Sequence, residues 1–299
     1  MSAAPLRPLQ LYVSVPFCRA HCAFCDQPFR RADAATLRAY GEALLREAEA
    51  AAPDFEGSAV QSVCFAGGCP TLLPQETFVH LCRRLRQLYR FAEDAEVTVE
   101  APPHLVDAGW MVAFQHAGVN RLSLGLVTGH SGHAEQLGLR WTLGASETAL
   151  ILPQMFHLRS YEGRLLYGLP GQTASAFRLS IQLAVRFHAP EITLERWRSA
   201  GPLAAQPCPA EAETAQMLDY AARHLTEKGY TEYRPGAWCL PGHECRGRLA
   251  EETGVDRLSF GLGVCSRTDG VLYRTTADLG TYLYHSDEPE RLYTVLSRG

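Results

Sequence analysis

From residue 11 onward, short runs of β-branched and apolar residues alternate with longer segments in which apolar side chains recur every three or four positions. That alternation predicts repeated βα units joined into a parallel sheet. Strands are expected near residues 11–16, 60–66, 95–100, 120–125, 163–168 and 191–196, and six strands fall short of a closed eightfold barrel. The predicted fold class is therefore α/β: a partial (βα)6 TIM-like barrel over residues 1–230, followed by a small C-terminal extension over 231–299.

The helical segments carry readable ends and faces. A helix starting at Asp33 puts Leu37, Tyr40, Leu44 and Ala48 on one side and stops before Pro53. A second opens at Pro74 and aligns Phe78, Leu81, Cys82, Leu85, Leu88 and Tyr89, which makes Cys82 a core residue. Thr173 is placed to cap a third helix bearing Phe177, Ile181 and Val185.

In βα architectures the loops after the strands' carboxyl ends build the site. The residues with chemistry to offer fall there. Cys18, Cys22 and Cys25 follow the first strand in a C-x3-C-x2-C spacing, close enough to grip one metal centre. Gly67, Gly68 and Cys69 follow the second strand, Glu100 ends the third, Gly125 follows the fourth, and Gly168, Leu169 and Pro170 follow the fifth. Three thiols are one short of the four ligands of a structural zinc or of an ordinary electron-carrying cluster. His21, inside the loop, would complete a Cys3His zinc site. Cys239 and Cys245 suggest a second cluster, but their spacing fits no metal template.

Composition narrows the partners. The chain has 299 residues, 46% of them hydrophobic, and a formal net charge of -4. It can bury a large core, and it lacks the basic blocks of a nucleic-acid binder. No apolar run approaches a membrane span, and MSAAPLRPLQ lacks the apolar core of a signal peptide, so a cytoplasmic protein without a membrane partner is expected. In that compartment the seven cysteines outside the loop, Cys64, Cys69, Cys82, Cys208, Cys239, Cys245 and Cys265, are expected to be reduced thiols.

The stretches LYVSVPFCRAHCAFCDQPF, VCFAGGCPTLL, VTVEAPP, GVNRLSLGL, LLYGLPGQT and GYTEYRPGAWCLPGHECR occur in order between residues 11 and 246. Together they resemble the oxygen-independent coproporphyrinogen III oxidase-like branch of the radical S-adenosylmethionine (SAM) superfamily. The resemblance implies a [4Fe-4S] cluster on Cys18, Cys22 and Cys25, with its fourth iron open to SAM. It places Gly67, Gly68 and Cys69 at the methionine part of SAM, in a motif that usually reads GGTP. It puts Glu100 at the ammonium or ribose, and Phe24, Gly168, Leu169 and Pro170 around the adenine. It also implies an electron donor such as flavodoxin or ferredoxin.

Several positions depart from that family's pattern. Val127, Leu139 and Trp141 stand where Gln, Arg and His are usual, and Arg164 replaces an Asp. Arg159 or Arg164 is expected to hold the SAM carboxylate instead. Glu195, Arg196 and Arg198, near the end of the sixth strand, suggest a polar, carboxylate-bearing small molecule, with Glu195 and Arg164 as catalytic candidates. About thirty residues follow FGLGVCSR, where haem-synthesis members carry a further domain, which weakens the case for a tetrapyrrole. The expected function is radical SAM chemistry on a small natural product, by C-methylation or cyclisation, with a second SAM as methyl source by analogy with the methyltransferase branch. Two alternatives stand beside it. One is a haem-binding, chaperone-like protein using His21, His130 or His133, and the other is a cluster enzyme that uses SAM without radicals.

Overall fold

The computed structural model describes residues 6–25, 27–198 and 201–298, so the start of the decapeptide read for a signal segment lies outside it. The six expected strands are present as β1 (Arg7–Ser14), β2 (Ser58–Ala66), β3 (Phe91–Ala101), β4 (Arg121–Val127), β5 (Ser160–Tyr167) and β6 (Glu191–Arg196). They pair in chain order, every neighbour parallel. A parallel sheet of this kind is covered on both faces. That is why the consecutive residues Arg121, Leu122, Ser123 and Leu124 of β4 are all buried.

Between these strands lie α1 (Ala34–Ala51), α2 (Gln75–Leu88), α3 (Ala108–Ala117), α4 (Ser131–Gln136), α5 (Leu143–Met155) and α6 (Ala174–Arg186). Asp33 caps α1 by accepting from the Thr36 amide at 2.7 Å, and Thr173 caps α6 by accepting from Ala176 at 3.1 Å. Leu37, Tyr40, Leu44 and Ala48 face the core from α1, as do Phe78, Leu81, Cys82 and Leu85 from α2.

Six further strands, three to six residues long, were not anticipated. The chain continues through α7 (Glu211–Glu227), β7 (Thr231–Arg234), β8 (Ala237–Cys239), α8 (Arg246–Glu252), β9 (Asp256–Phe260), β10 (Cys265–Thr268), β11 (Val271–Thr275), α9 (Leu279–His285), α10 (Pro289–Leu292) and β12 (Tyr293–Arg298). β9 joins β1 in parallel, β10 to β12 extend that edge antiparallel, and β8 and β7 extend the other edge from β6. The terminal strands β12 and β7 do not pair among the described residues, so the barrel stays open. Among those residues no helix is long and apolar enough to cross a membrane.

Two buried polar knots hold the later segments on the sheet. At the mouth where the strands begin, α8 inserts Arg248, which donates to Glu162 at 2.6 Å through both terminal nitrogens, to Glu191 at 3.1 Å and to Thr193 at 2.8 Å. Arg121 pairs with Glu191 beside it. Cys245 donates to Glu96 at 3.3 Å in the same plug. Cys239 and Cys245 are therefore occupied as packing and hydrogen-bonding groups, and among the described residues no three Cys, His, Asp or Glu side chains are arranged around one metal-ion position.

The second knot surrounds Glu47 of α1, which receives Tyr282 at 2.5 Å, the Gly261 amide at 2.8 Å and Tyr293 at 2.9 Å. Burial pushes its carboxyl up to about 8, despite those donors. Tyr282→Phe leaves a fully buried carboxyl one partner short, and urea unfolding should show about 1–3 kcal/mol less stability than wild type. A change below about 0.3 kcal/mol would mean the knot contributes little.

Candidate functional site

The cysteine loop leaves β1 along the end of β2. The Val15 amide donates to Ala66 O at 2.8 Å, and the Cys69 amide donates to Phe17 O at 2.9 Å. Gly68 makes this close contact possible: a Cβ there would come within 2.6 Å of Val15 O and 2.9 Å of Phe17 N and O. Further on, the Cys18 amide donates to Arg30 O at 2.9 Å and the Cys25 amide to Cys22 O at 3.1 Å. The loop is thus shaped by its own backbone bonds.

Cys18, Cys22 and Cys25 open into one cavity of about 770 Å³ at the carboxyl ends of the strands. Phe24, Gly67, Gly68, Cys69, Glu100, Arg164 and Glu195 line the same cavity, so ten of the expected site residues meet there. Gly168, Leu169 and Pro170 do not. Leu169 packs into a neighbouring apolar cluster with Val127, Leu137, Trp141, Trp197 and Leu203. The GLPG turn thus supports the wall from behind.

The charges inside the cavity are arranged differently from expectation. Arg164 pairs with Glu100 at 2.7 Å and with both oxygens of Glu195 at 2.9 and 3.1 Å. The acid expected to meet an ammonium and the base expected to meet a carboxylate hold each other. Arg159 precedes β5, at the opposite end of the strands, and does not line the cavity. Arg19, Arg31 and Arg140 do, so the cavity carries more guanidinium than carboxylate groups.

The thiols also interact. Cys69 Sγ lies 3.6 Å from Cys18 Sγ, and donation from Cys69 draws the Cys18 thiol below its ordinary range. The same bond, together with burial, holds Cys69 up. Burial, then the neighbouring Cys25 and Cys18, pushes Cys22 up to about 11. Val127, on the wall, adopts φ 67°, a left-handed conformation costly for a β-branched residue, in a tight turn closed by the Thr128 amide on Leu126 O at 2.8 Å.

The histidines proposed as haem ligands serve elsewhere. His130 caps α4, His133 is buried with Nε2 3.2 Å from Pro170 O, and His21 stacks on Phe29 with Nε2 3.1 Å from Cys25 O. Sequence reading missed His104, which lines the cavity stacked on Trp141 at 5.3 Å and whose buried Nδ1 has no partner among the described residues. Burial, then Arg19, lowers its pKa, so the ring is neutral at pH 7. The ERWR run also acts unexpectedly: Trp197 donates to Phe24 O at 3.0 Å and pins the cysteine loop, while Arg196 turns to Glu211.

Residues 12–184, more than half of the chain, match the family described as the Radical SAM superfamily. The chain belongs to that superfamily. The radical SAM protein resembles the heme chaperone HemW of Synechocystis sp., with 27% identity covering 89% of this chain and 67% of the relative. It resembles the heme chaperone HemW of Escherichia coli at 28% identity, covering 91% of this chain and 74% of the relative. Among solved structures, coproporphyrinogen III oxidase (HemN) from Escherichia coli superposes with a TM-score of 0.84 at 22% identity, over 98% of this chain and 73% of that one. This places the protein among the HemN-like radical SAM proteins and gives it their mixed α/β fold with a parallel sheet. The superfamily's cofactors are a [4Fe-4S] cluster and SAM, and its fold supports an enzyme.

These relatives correct one expectation. C-methylation or cyclisation of a natural product is overturned, because proteins matching about nine-tenths of this chain are named heme chaperones. The expectation gave most weight to a few altered polar positions around SAM. The pattern that fixes the sheet and its loops follows the chaperones along almost the whole chain.

The donor set fits the cofactors in outline. Three thiols line one cavity, and a [4Fe-4S] cluster takes each such thiolate on a different iron. Gly67 and Gly68 line the same cavity and bring only backbone to it.

Proposed function

We propose that this radical SAM protein handles haem in the manner of a chaperone, on a scaffold that holds a [4Fe-4S] cluster through Cys18, Cys22 and Cys25. The observation that carries the reading is the likeness to heme chaperones over most of the chain. The cluster supplies one-electron chemistry when bound, fed by a donor such as flavodoxin or ferredoxin. Gly67, Gly68 and Cys69 border the methionine part of SAM. Phe24 and the wall backed by Gly168, Leu169 and Pro170 border its adenine.

The cavity suits a flat, partly anionic ligand. Its volume of about 770 Å³ lies within the range of cofactor sites. His104 and Trp141 stack at an interplanar angle of 10°, forming a flat aromatic wall. Arg19, Arg31 and Arg140 offer charge to carboxylates, and neutral His104 offers an imidazole to iron.

Titrating anaerobically purified protein with haem should give a saturable Soret shift at one haem per chain. His104→Ala should weaken that binding about tenfold or more, equivalent to about 1.4 kcal/mol, whereas His130→Ala should leave it unchanged. A shift that never saturates would remove the haem reading. Saturable binding indifferent to His104 would move the ligand elsewhere.

A further inference from the structure

The GGCP turn puts a fourth thiol in the cavity, and its placement is built. The Cys69 amide is tied to Phe17 O, the residue before Cys18, at 2.9 Å. Gly68 permits that approach, since any Cβ would strike the backbone of Val15 and Phe17. The Cys69 sulfur consequently touches the Cys18 sulfur at 3.6 Å and shares a cavity with Cys22 and Cys25. Cys64, Cys82, Cys208, Cys239, Cys245 and Cys265 are not among the residues lining that cavity.

We infer that Cys69 is a fourth thiolate ligand, which in the SAM-free protein closes the cluster corner that three cysteines leave open. This rests on the reading that Cys18, Cys22 and Cys25 hold a [4Fe-4S] cluster. A thiolate is an ordinary iron ligand, whereas the threonine usual at this point of the motif carries a neutral hydroxyl. The rest of the cavity favours the exchange. Glu100 is already paired with Arg164 at 2.7 Å, and apolar Val127 stands on the wall, so SAM finds fewer free polar partners with which to outcompete an internal ligand. When the iron–sulfur bond forms, the Cys69 thiol gives its proton to solvent. When SAM displaces the sulfur, the thiolate takes a proton back.

The test compares reconstituted wild type with Cys69→Thr and Cys69→Ala, using Cys22→Ala as a control for the cluster itself. Brief ferricyanide oxidation strips an iron that lacks a protein thiolate, so the substituted proteins should lose one iron in four and show a three-iron EPR signal. Wild type should retain its iron and give at least about fivefold less of that signal. SAM titration of the reduced cluster, followed by EPR, should reach half-change at about tenfold lower concentration in Cys69→Thr if the wild-type corner is open one-tenth of the time. Melting curves establish that each variant is folded. Equal iron loss and equal SAM midpoints in wild type and Cys69→Thr would overturn the inference and leave the three-cysteine cluster standing. Cluster content unaffected by Cys22→Ala would overturn both.

Discussion

Cys22→Ala is expected to purify anaerobically with iron and acid-labile sulfide below about a tenth of the wild-type content, while keeping the wild-type far-UV spectrum. Each of the three loop thiols carries one iron in the proposed cluster and Cys69 is only an exchangeable ligand, so without Cys22 two permanent thiolates remain, too few to hold the cluster. The loop does not need the cluster to keep its path. Cys18 and Cys25 donate backbone bonds to Arg30 and Cys22, and Trp197 fastens Phe24 from the apolar cluster beside the cavity. Cys18→Ala and Cys25→Ala should behave alike. Cys82→Ala gives the opposite pattern: that thiol is buried against the core on α2, so the variant should keep its iron and lose about 1 kcal/mol or more of stability. If Cys22→Ala retained iron, the cluster would have to sit on other residues.

The parts of the fold legible in the sequence are those whose signal is local. β1 to β6 are read from continuous apolar runs because a parallel strand buried on both faces needs little else. Asp33 and Thr173 are recognisable as caps because a short oxygen-bearing side chain just before an apolar stripe has few other uses. β7 to β12 offered nothing comparable. They are short and mostly antiparallel, they pair largely with one another, and β9 on β1 and β8 on β6 tie them to the main sheet.

The site divides along the same line. Ten residues expected around the cavity do line it, because their positions follow from where strands end. What those residues do to one another was not readable. Cys69 and Cys18 are 51 positions apart, and only the register of β1 on β2 brings their sulfurs together. Glu100 and Arg164 are each expected to meet an outside partner, yet β3 and β5, on either side of β4, present them to each other. His104 went unnoticed because a single histidine in a short turn has no sequence signature; its stacking on Trp141 depends on the path of a later loop.

The strand-start mouth yields the largest expected effect on stability. Arg248→Met should destabilise the protein by about 3–5 kcal/mol at pH 7, since removing one partner of a buried pair leaves a charge uncompensated. That corresponds to a melting midpoint lower by roughly 6–10 °C, at about 2 °C per kcal/mol for a chain of this size. Burial alone would raise the Glu162 carboxyl, but Arg248 and Arg121 together outweigh it and hold it well below the usual carboxylate range. Folded Glu162 therefore binds its proton more weakly than in the unfolded chain, where a glutamate titrates near 4.3. Its contribution is complete above that pH and is lost as the pH falls through and below it. In Arg248→Met the main counter-charge is gone and burial raises the same carboxyl, so acidification relieves the variant while it weakens the wild type. The stability gap should be widest at neutral pH and narrow toward pH 4, as measured by urea unfolding across that range. A gap that stays constant would assign the loss to packing of the Arg248 side chain. A gap near zero throughout would mean that Arg121 satisfies Glu162 and Glu191 unaided.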